Sequence, residues 1–427
     1  MLSQSSSPDR IRTYTCLGAI AATALAVRLA AVLYLGNFRP PWLEDWDLIA
    51  QSLVQTGSYG LDQVSLWGAN PGHVTAFIPP VYPAFLALMT ILFGSEAWLA
   101  VRLIQAVVST LAAVLVYPLG KEVFARDAVS LLASLLAALF PPLIGGVAQG
   151  NAGSFEIFFT ELIVLLALRA ARQRSLWGWF WTGALAGLAA LIRAPALVLL
   201  PTLALWLWAG SRRPRADTVV KALLVMGLAA ALVIGPWTIR NYRVLGECIP
   251  ISSNGGINFW IGNNEKATGE FVYPAGIAPE LITASAAMPE GARDRFFYGE
   301  SLSFIAANPG RFLELLGIKF LFFLWGRPSL GETYATQAST GLGVSAYLWA
   351  NRLLLPMWLA GIVLTARNWR HAMILYATIL TVLMVNVLYF AGARYQAPAI
   401  PFQILLASYT IATVVSYVRH RSLRGAT

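Results

Sequence analysis

Hydrophobic residues gather along this chain in long runs. A bilayer core about 30 Å thick needs roughly 20 apolar helical residues to cross it, and about 17 at the least. Reading on that ruler gives ten candidate spans, at approximately 13–36, 103–120, 128–147, 154–171, 176–192, 195–210, 218–237, 343–366, 371–391 and 396–418. The pattern predicts an all-α integral membrane protein with about ten transmembrane helices. The first run is longer than the apolar part of a signal peptide. It is followed by Asn37-Phe38-Arg39-Pro40-Pro41 where a cleavage site would need small residues, so it reads as a span.

Two further apolar stretches, 79–93 and 312–326, are too short to decide by length, and charge decides instead. With both at the interface, the loops assigned to the cytoplasm hold 16 of the 30 Lys and Arg residues, including the Arg169–Arg174 and Arg212–Arg215 clusters. The short outer loops keep only Arg39, Arg102, Arg193, Arg352 and Arg394. Long translocated segments escape the positive-inside rule, so 238–342 does not count against this orientation. Both termini are then cytoplasmic, and the outer face carries two elaborate segments, 37–102 and 238–342. Three regions follow: a membrane module over 1–237 that includes the first outer loop, an outer region over 238–342 with an interfacial helix at 312–326, and C-terminal membrane helices over 343–427.

Composition agrees. Of 427 residues 58% are hydrophobic and 12% charged, where a soluble domain carries about a quarter charged, so a soluble enzyme is excluded. The net charge of +10 would suggest nucleic acid in a soluble protein. Here the cytoplasmic loops alone carry +12, from those 16 cations against Asp9, Glu122, Asp127 and Asp217, so the basicity is an orientation signal and requires no nucleic acid. Two cysteines and three histidines supply neither a disulfide framework nor a zinc-type ligand cluster.

The first outer loop concentrates acid. Glu44, Asp45 and Asp47 precede a run in which Trp46, Ile49, Ala50, Leu53 and Val54 share one helical face, ending at Gly57. This predicts a short amphipathic helix on the membrane surface. Its acids are N-cap and dipole partners, and the same position suits a general base or metal ligand at the water–lipid boundary. The two roles are compatible, since a capping Asp is a rigid one. Pro79-Pro80 opens the next short helix, and His73 just before it reads as a solvated loop residue.

A series of short motifs carries a family likeness: the acidic cluster after the first span, Pro79-Pro80-Val81-Tyr82-Pro83 with Phe93-Gly94, Leu119-Gly120-Lys121-Glu122-Val123-Phe124, Leu191-Ile192-Arg193-Ala194-Pro195, Pro236-Trp237-Thr238-Ile239-Arg240-Asn241-Tyr242, and Arg394-Tyr395-Gln396-Ala397-Pro398. In that order they resemble bacterial members of the dolichyl-phosphate-mannose–protein mannosyltransferase-like group, within the GT-C superfamily of polytopic glycosyltransferases. The resemblance implies inverting sugar transfer from a polyprenyl-phosphate-linked donor at the periplasmic face of a bacterial inner membrane. The acceptor would be a glycan, a lipid or a protein, activated by an acidic residue of the first outer loop. That role falls on Asp45, with Glu44 and Asp47 as its neighbours. Clustered carboxylates also suit Mg²⁺ or Mn²⁺, with Asp45 and Glu44 as ligands, although the nearest-looking relatives need not use a metal.

The leaving lipid phosphate needs cations. Arg102, Arg193, Arg240 and Arg394 stand at outer ends of spans, level with a lipid phosphate. Headgroup snorkelling or an ion pair, for instance with Glu156, suits the others equally, whereas Arg394, opening the last span in Arg-Tyr-Gln-Ala-Pro, is placed to bind phosphate bidentately. Arg28 lies inside the first span, where its charge requires it to face the protein. The run 252–264, with Asn254, Asn258, Trp260 and Asn263, offers amides and a stacking face to a sugar, and reads equally as an ordered Gly-containing loop. Tyr82, Glu156 and Tyr395 complete the candidate sugar or acceptor contacts, while 265–300 reads as polar and ordinary. No dinucleotide or Walker loop and no Ser–His–Asp arrangement occurs at a credible position. The rival reading is a lipid-linked glycan transporter or flippase, whose marks are internal repeats and ionisable residues at the bilayer midplane. No convincing repeat is present, and Arg28 and Glu161 are the only mid-span charges.

Overall fold

The computed structural model describes residues 7–34, 45–61, 73–149, 151–210, 216–325 and 341–424. Over the described residues, each of the ten apolar runs is mainly helical. α1 is Ser7–Tyr34, α2 Asp45–Thr56, α3 Val81–Phe93, α4 Ala97–Phe124, α5 Asp127–Leu139, α6 Pro141–Gly145, α7 Gly153–Gln173, α8 Leu176–Ile192, α9 Leu199–Gly210 and α10 Ala216–Leu245. The outer segment then folds as α11 Gly255–Gly262, α12 Pro274–Ile277, α13 Pro279–Ser285, α14 Glu290–Ala307 and α15 Pro309–Trp325. α16 Gly341–Thr365, α17 Trp369–Leu388, α18 Ala393–Gln396 and α19 Ile400–Arg424 complete the chain. Among the described residues the one sheet is a two-residue antiparallel ribbon pairing Gly60 with Val74 and Leu61 with His73.

By length and composition, five stretches among the described residues are able to cross a membrane: Arg10–Tyr34, Val81–Phe124, Ala216–Leu245, Ser345–Leu388 and Ala393–Ser422. The α5–α6 pair, bent by 51°, is a sixth. The difference from ten has physical causes. Ser345–Leu388 holds two of the ten runs, α8 and the 194–210 stretch are short, and α7 carries Glu156, Glu161, Arg169 and Arg172. Outward-facing Leu111, Leu224, Leu228, Leu232 and Val363 are exposed, as expected where lipid is the solvent.

The break after α5 explains Arg28. Pro141 and Pro142 lack the N–H groups that would close helical bonds onto the Ala137 and Ala138 carbonyls. Arg28 donates to both instead, at 3.3 and 2.9 Å, and also to Ala24 O at 3.1 Å and Ser109 Oγ at 2.8 Å. A fully buried guanidinium is thereby satisfied by the carbonyls two prolines release.

α8 and α10 meet through a Gly-x-x-x-Gly face. A methyl group on Gly183 would stand 2.2 Å from Met226 O, and one on Gly187 2.9 Å from Ala230 O. Small residues let the backbones approach this closely, which is how membrane helices gain contact without a hydrophobic driving force. Gly183→Leu is expected to cost about 1–3 kcal/mol by overpacking, read as a lower thermal unfolding midpoint in detergent. Gly227→Leu, on an open face of α10, should leave the midpoint unchanged.

The main core joins α4, α5, α7, α8, α9, α17 and α19. A second core lies in the outer segment, where Phe77, Ile257, Trp260, Phe271, Ile282, Phe297 and Phe390 pack together. The stretch 265–300 is thus an organised part of the outer region, and it fixes the second long loop against the first loop and the end of α17.

Candidate active site

A cavity of about 590 Å³ opens where several helices start or break. Trp46 of α2, Pro79 and Tyr82 before and in α3, Asn151 and Glu156 around the start of α7, and Arg193 at the α8–α9 break form one side. Asn254 and Asn258, Asp294 and Tyr298 of α14, and Asn386, Tyr389, Arg394 and Tyr395 form the other.

Two arginines reach it because prolines interrupt their helices. α8 ends at Ile192, Arg193 is extended (φ −147°, ψ 117°), and Pro195 opens a short 3₁₀ turn. Arg394 lies in the one-turn α18, followed by Pro398 in a second 3₁₀ turn. Both guanidinia lie over the Tyr395 ring, at 5.1 Å for Arg193 and 4.7 Å for Arg394. Arg394 Nη2 also donates to the Tyr395 hydroxyl, and Arg193 Nη1 donates to Glu156 Oε2 at 3.0 Å. This end of the cavity therefore holds two cations against one carboxylate, at the head of a wall made by Ile192, Leu197, Val198, Leu199, Val382 and Val385.

The acidic end is α2. Asp45 and Asp47 are 2% and 5% exposed and flank Trp46, which itself faces the cavity and packs edge-on against Tyr82 at 6.1 Å. Gln105 Nε2 donates to the Tyr82 hydroxyl at 3.2 Å and to Asn151 O at 2.5 Å, tying α3 to the start of α7. Asp45 lies in the field of Arg293, as does Glu290, while burial lowers the Arg293 pKa from its usual value against the pull of both acids. Arg293 Nε donates to Ser285 Oγ at 3.2 Å.

Glu290 joins the two outer loops. It accepts from the Thr75 hydroxyl, from Ala76 N at 2.9 Å and from Ser253 Oγ at 2.8 Å. Glu290→Gln would turn an amide NH₂ toward at least one of these donors. A loss of about 1–3 kcal/mol is expected, measured as a lower unfolding midpoint, with Glu300→Gln on the exposed face of α14 unchanged.

The structure brings Arg193, Arg394, Tyr82, Glu156, Asn254, Asn258 and Tyr395 to the cavity wall, as the sequence suggested. Asp45 and Asp47 stand beside it through Trp46, and Glu44 lies outside the described residues. Five other candidates do not line it. Arg28 is committed to α5 carbonyls, and Arg102 is buried in α4. Arg240 donates to Thr75 O at 2.7 Å and Tyr59 O at 3.2 Å, and stacks on Trp237 at 4.8 Å, so it stitches the first loop to α10. Trp260 packs in the outer core against Phe297. Asn263 donates to Phe259 O and Leu388 O and accepts from the buried Lys319 Nζ at 3.0 Å. No group of three or more His, Cys, Asp or Glu with metal-holding geometry occurs among the described residues, so Asp45 and Asp47 gain no third ligand there.

Asp294 and Tyr298 are the residues sequence reasoning missed. Their i, i+4 spacing puts them on one face of α14, the only available signal. Asp294 Oδ1 accepts from Gly256 N at 2.6 Å, and a methyl group on Gly256 would stand 1.9 Å from Asp294 O, so glycine is required there. Burial raises the Asp294 carboxyl pKa, opposed by the Gly256 bond and Arg295. Burial also raises the Tyr298 hydroxyl pKa, reinforced by its contact with the Tyr389 hydroxyl at 3.2 Å.

Residues 78–239 match the family described as dolichyl-phosphate-mannose-protein mannosyltransferase. No curated protein matches the chain. Among solved structures, the fold is similar to the archaeal oligosaccharyltransferase AglB from Archaeoglobus fulgidus in complex with an inhibitory peptide and a dolichol-phosphate. That likeness has a TM-score of 0.59 at 15% identity over 99% of this chain and 52% of that one. The same enzyme's complex with Zn and sulfate gives a TM-score of 0.57 at 16% identity, over 95% and 50%. The chain thus spans about half the length of these relatives. The chain thus carries, over 78–239, a segment similar to the dolichyl-phosphate-mannose-protein mannosyltransferase family, within a helical fold similar to that of AglB.

Proposed function

We propose that the protein is a glycosyltransferase that takes a sugar from a polyprenyl-phosphate donor at the periplasmic face of a bacterial inner membrane. The observation that carries this reading is the pair Arg193 and Arg394, stacked over one tyrosine at the head of an apolar wall. Planar guanidinia suit a phosphate, and Ile192, Leu197, Val198 and Leu199 suit the isoprenoid chain behind it. The AglB relative, in complex with a dolichol-phosphate, supports the same ligand class.

The chemistry is a displacement at the anomeric carbon. An acceptor hydroxyl or amide attacks that carbon, the bond to the phosphate oxygen breaks, and its electron pair leaves on the lipid phosphate. Asp45 takes the acceptor proton, with Asp47 and Glu44 beside it on the same loop. Inversion follows from a single displacement. Asn254, Asn258, Asp294 and Tyr298 form the polar wall for the sugar or the acceptor. A transport reading gains nothing from Arg28, whose donors are spent on backbone carbonyls.

The test is lipid binding. The full chain in nanodiscs should bind undecaprenyl phosphate saturably and be stabilised by it, whereas undecanol should not compete. Equal competition by the two would remove the phosphate site.

A further inference from the structure

We infer that Glu156 is an internal counter-ion that competes with the lipid phosphate for Arg193, and so favours release of the spent carrier. This rests on the lipid-phosphate reading and adds a role for the carboxylate within it. Arg193 donates to Glu156 Oε2 at 3.0 Å, with the Glu156 side chain 13% exposed and that of Arg193 26%. The pair stands in the cavity beside Arg394 and Tyr395. An Arg193 held by Glu156 on one edge and stacked on Tyr395 at 5.1 Å on its face has fewer donors left for a ligand.

The charge count makes this consequential. Two guanidinia and Glu156 give this cluster a net charge of +1, Asp294 being bonded to Gly256 N on the α14 wall. The donor is a phosphodiester and carries −1, so it is matched. Transfer forms the bond from the acceptor to the anomeric carbon, breaks the bond to phosphate and leaves a phosphate monoester. Above its second pKa of about 6 that monoester carries −2. The spent carrier thus exceeds the site's charge by one, and the excess falls beside Glu156. A carboxylate close to an anion in a low-dielectric cavity weakens binding, most strongly for the more highly charged ligand. Without Glu156 the site would be +2, a match for product instead of donor.

The experiment compares two probes that differ by one charge, undecaprenyl phosphate and undecaprenyl methyl phosphate, bound to the full chain in nanodiscs at pH 8. The native chain should hold them with affinities within about threefold. Glu156→Gln should tighten undecaprenyl phosphate about tenfold or more and the methyl diester less. Glu156→Asp should stay close to native. A gain in affinity does not arise from misfolding. The double variant Glu156→Gln with Arg193→Gln separates competition for Arg193 from long-range repulsion: against Arg193→Gln alone, the Glu156 change should give a smaller gain, the part due to repulsion.

Unchanged affinity of Glu156→Gln for undecaprenyl phosphate would overturn the inference, and so would an equal gain in the Arg193→Gln background. Both results leave the lipid-phosphate reading standing. Failure of the native chain to bind either lipid would overturn that reading, and this inference with it.

Discussion

Asp45→Asn is expected to lower sugar transfer about 10²–10⁴-fold, the contribution typical of a positioned general base, while leaving undecaprenyl phosphate binding unchanged. The amide is close in shape to the carboxylate but takes no proton. Asp45 is 2% exposed at the first turn of α2, where the open N–H groups of the helix favour negative charge. On its other side Arg293 holds the carboxylate in a positive field. A base so placed is rigid before the acceptor arrives. Asp47→Asn is expected to have a smaller effect, because Asp47 acts on the Tyr82 hydroxyl whereas Asp45 is the one of the two that acts on Arg293. Steady-state rates of the two variants, measured with the same donor, distinguish them. Full retained activity in Asp45→Asn would move the base to another carboxylate, and the cavity offers Asp294 as the next to replace.

Arg394→Gln is expected to weaken undecaprenyl phosphate binding about 10- to 100-fold, in line with about 1.5–3 kcal/mol for hydrogen bonds to a charged group. Arg394 stacks on Tyr395 and also lies over Phe271 at 5.5 Å, so its head is fixed by packing on two rings. Lysine offers a point charge without the planar fork, so Arg394→Lys should recover only part of the loss. Tyr395→Phe tests the platform separately. It keeps the ring under both guanidinia and removes the hydroxyl that accepts from Arg394, and should cost less than either arginine substitution. Titration of labelled undecaprenyl phosphate against each variant gives the order directly.

How far the sequence carries depends on whether a signal is local. α2 is legible because its apolar positions, its acids and its stop at Gly57, which adopts φ 70°, lie within thirteen residues. The membrane helices are legible for the same reason, since bilayer thickness is read off each run independently. Arg193 and Arg394 are legible because a proline follows each in a motif at a helix break. Arg28 is half legible: its burial follows from the cost of a charge in lipid, but its partners are set by Pro141 and Pro142, more than a hundred residues away. Arg240 has the same position relative to its span as the phosphate candidates, yet the first loop folds back and supplies the Thr75 and Tyr59 carbonyls. Position along a span does not reveal what packs against its end.

The run 252–264 divides in a similar way. Asn254 and Asn258 face the cavity, whereas Trp260 and Asn263 turn inward, to Phe297 and to Lys319. Both faces of a short helix with aromatic and amide residues look alike in sequence. Asp294 and Tyr298 were hidden because α14 has no strong amphipathic pattern; its site face is defined by α11 pressing against it through Gly255 and Gly256. Sites assembled from two outer loops depend on that docking, which no single stretch of sequence records.

The most direct test of the account is the lipid that builds up when the gene is deleted. Mass spectrometry of total lipids should reveal an undecaprenyl-phosphate-linked sugar that accumulates in the deletion strain. It should be cleared by the native chain and by Glu300→Gln, and should persist with Asp45→Asn. An unchanged lipid-linked sugar pool in the deletion strain, or clearance by Asp45→Asn as complete as by the native chain, would contradict it.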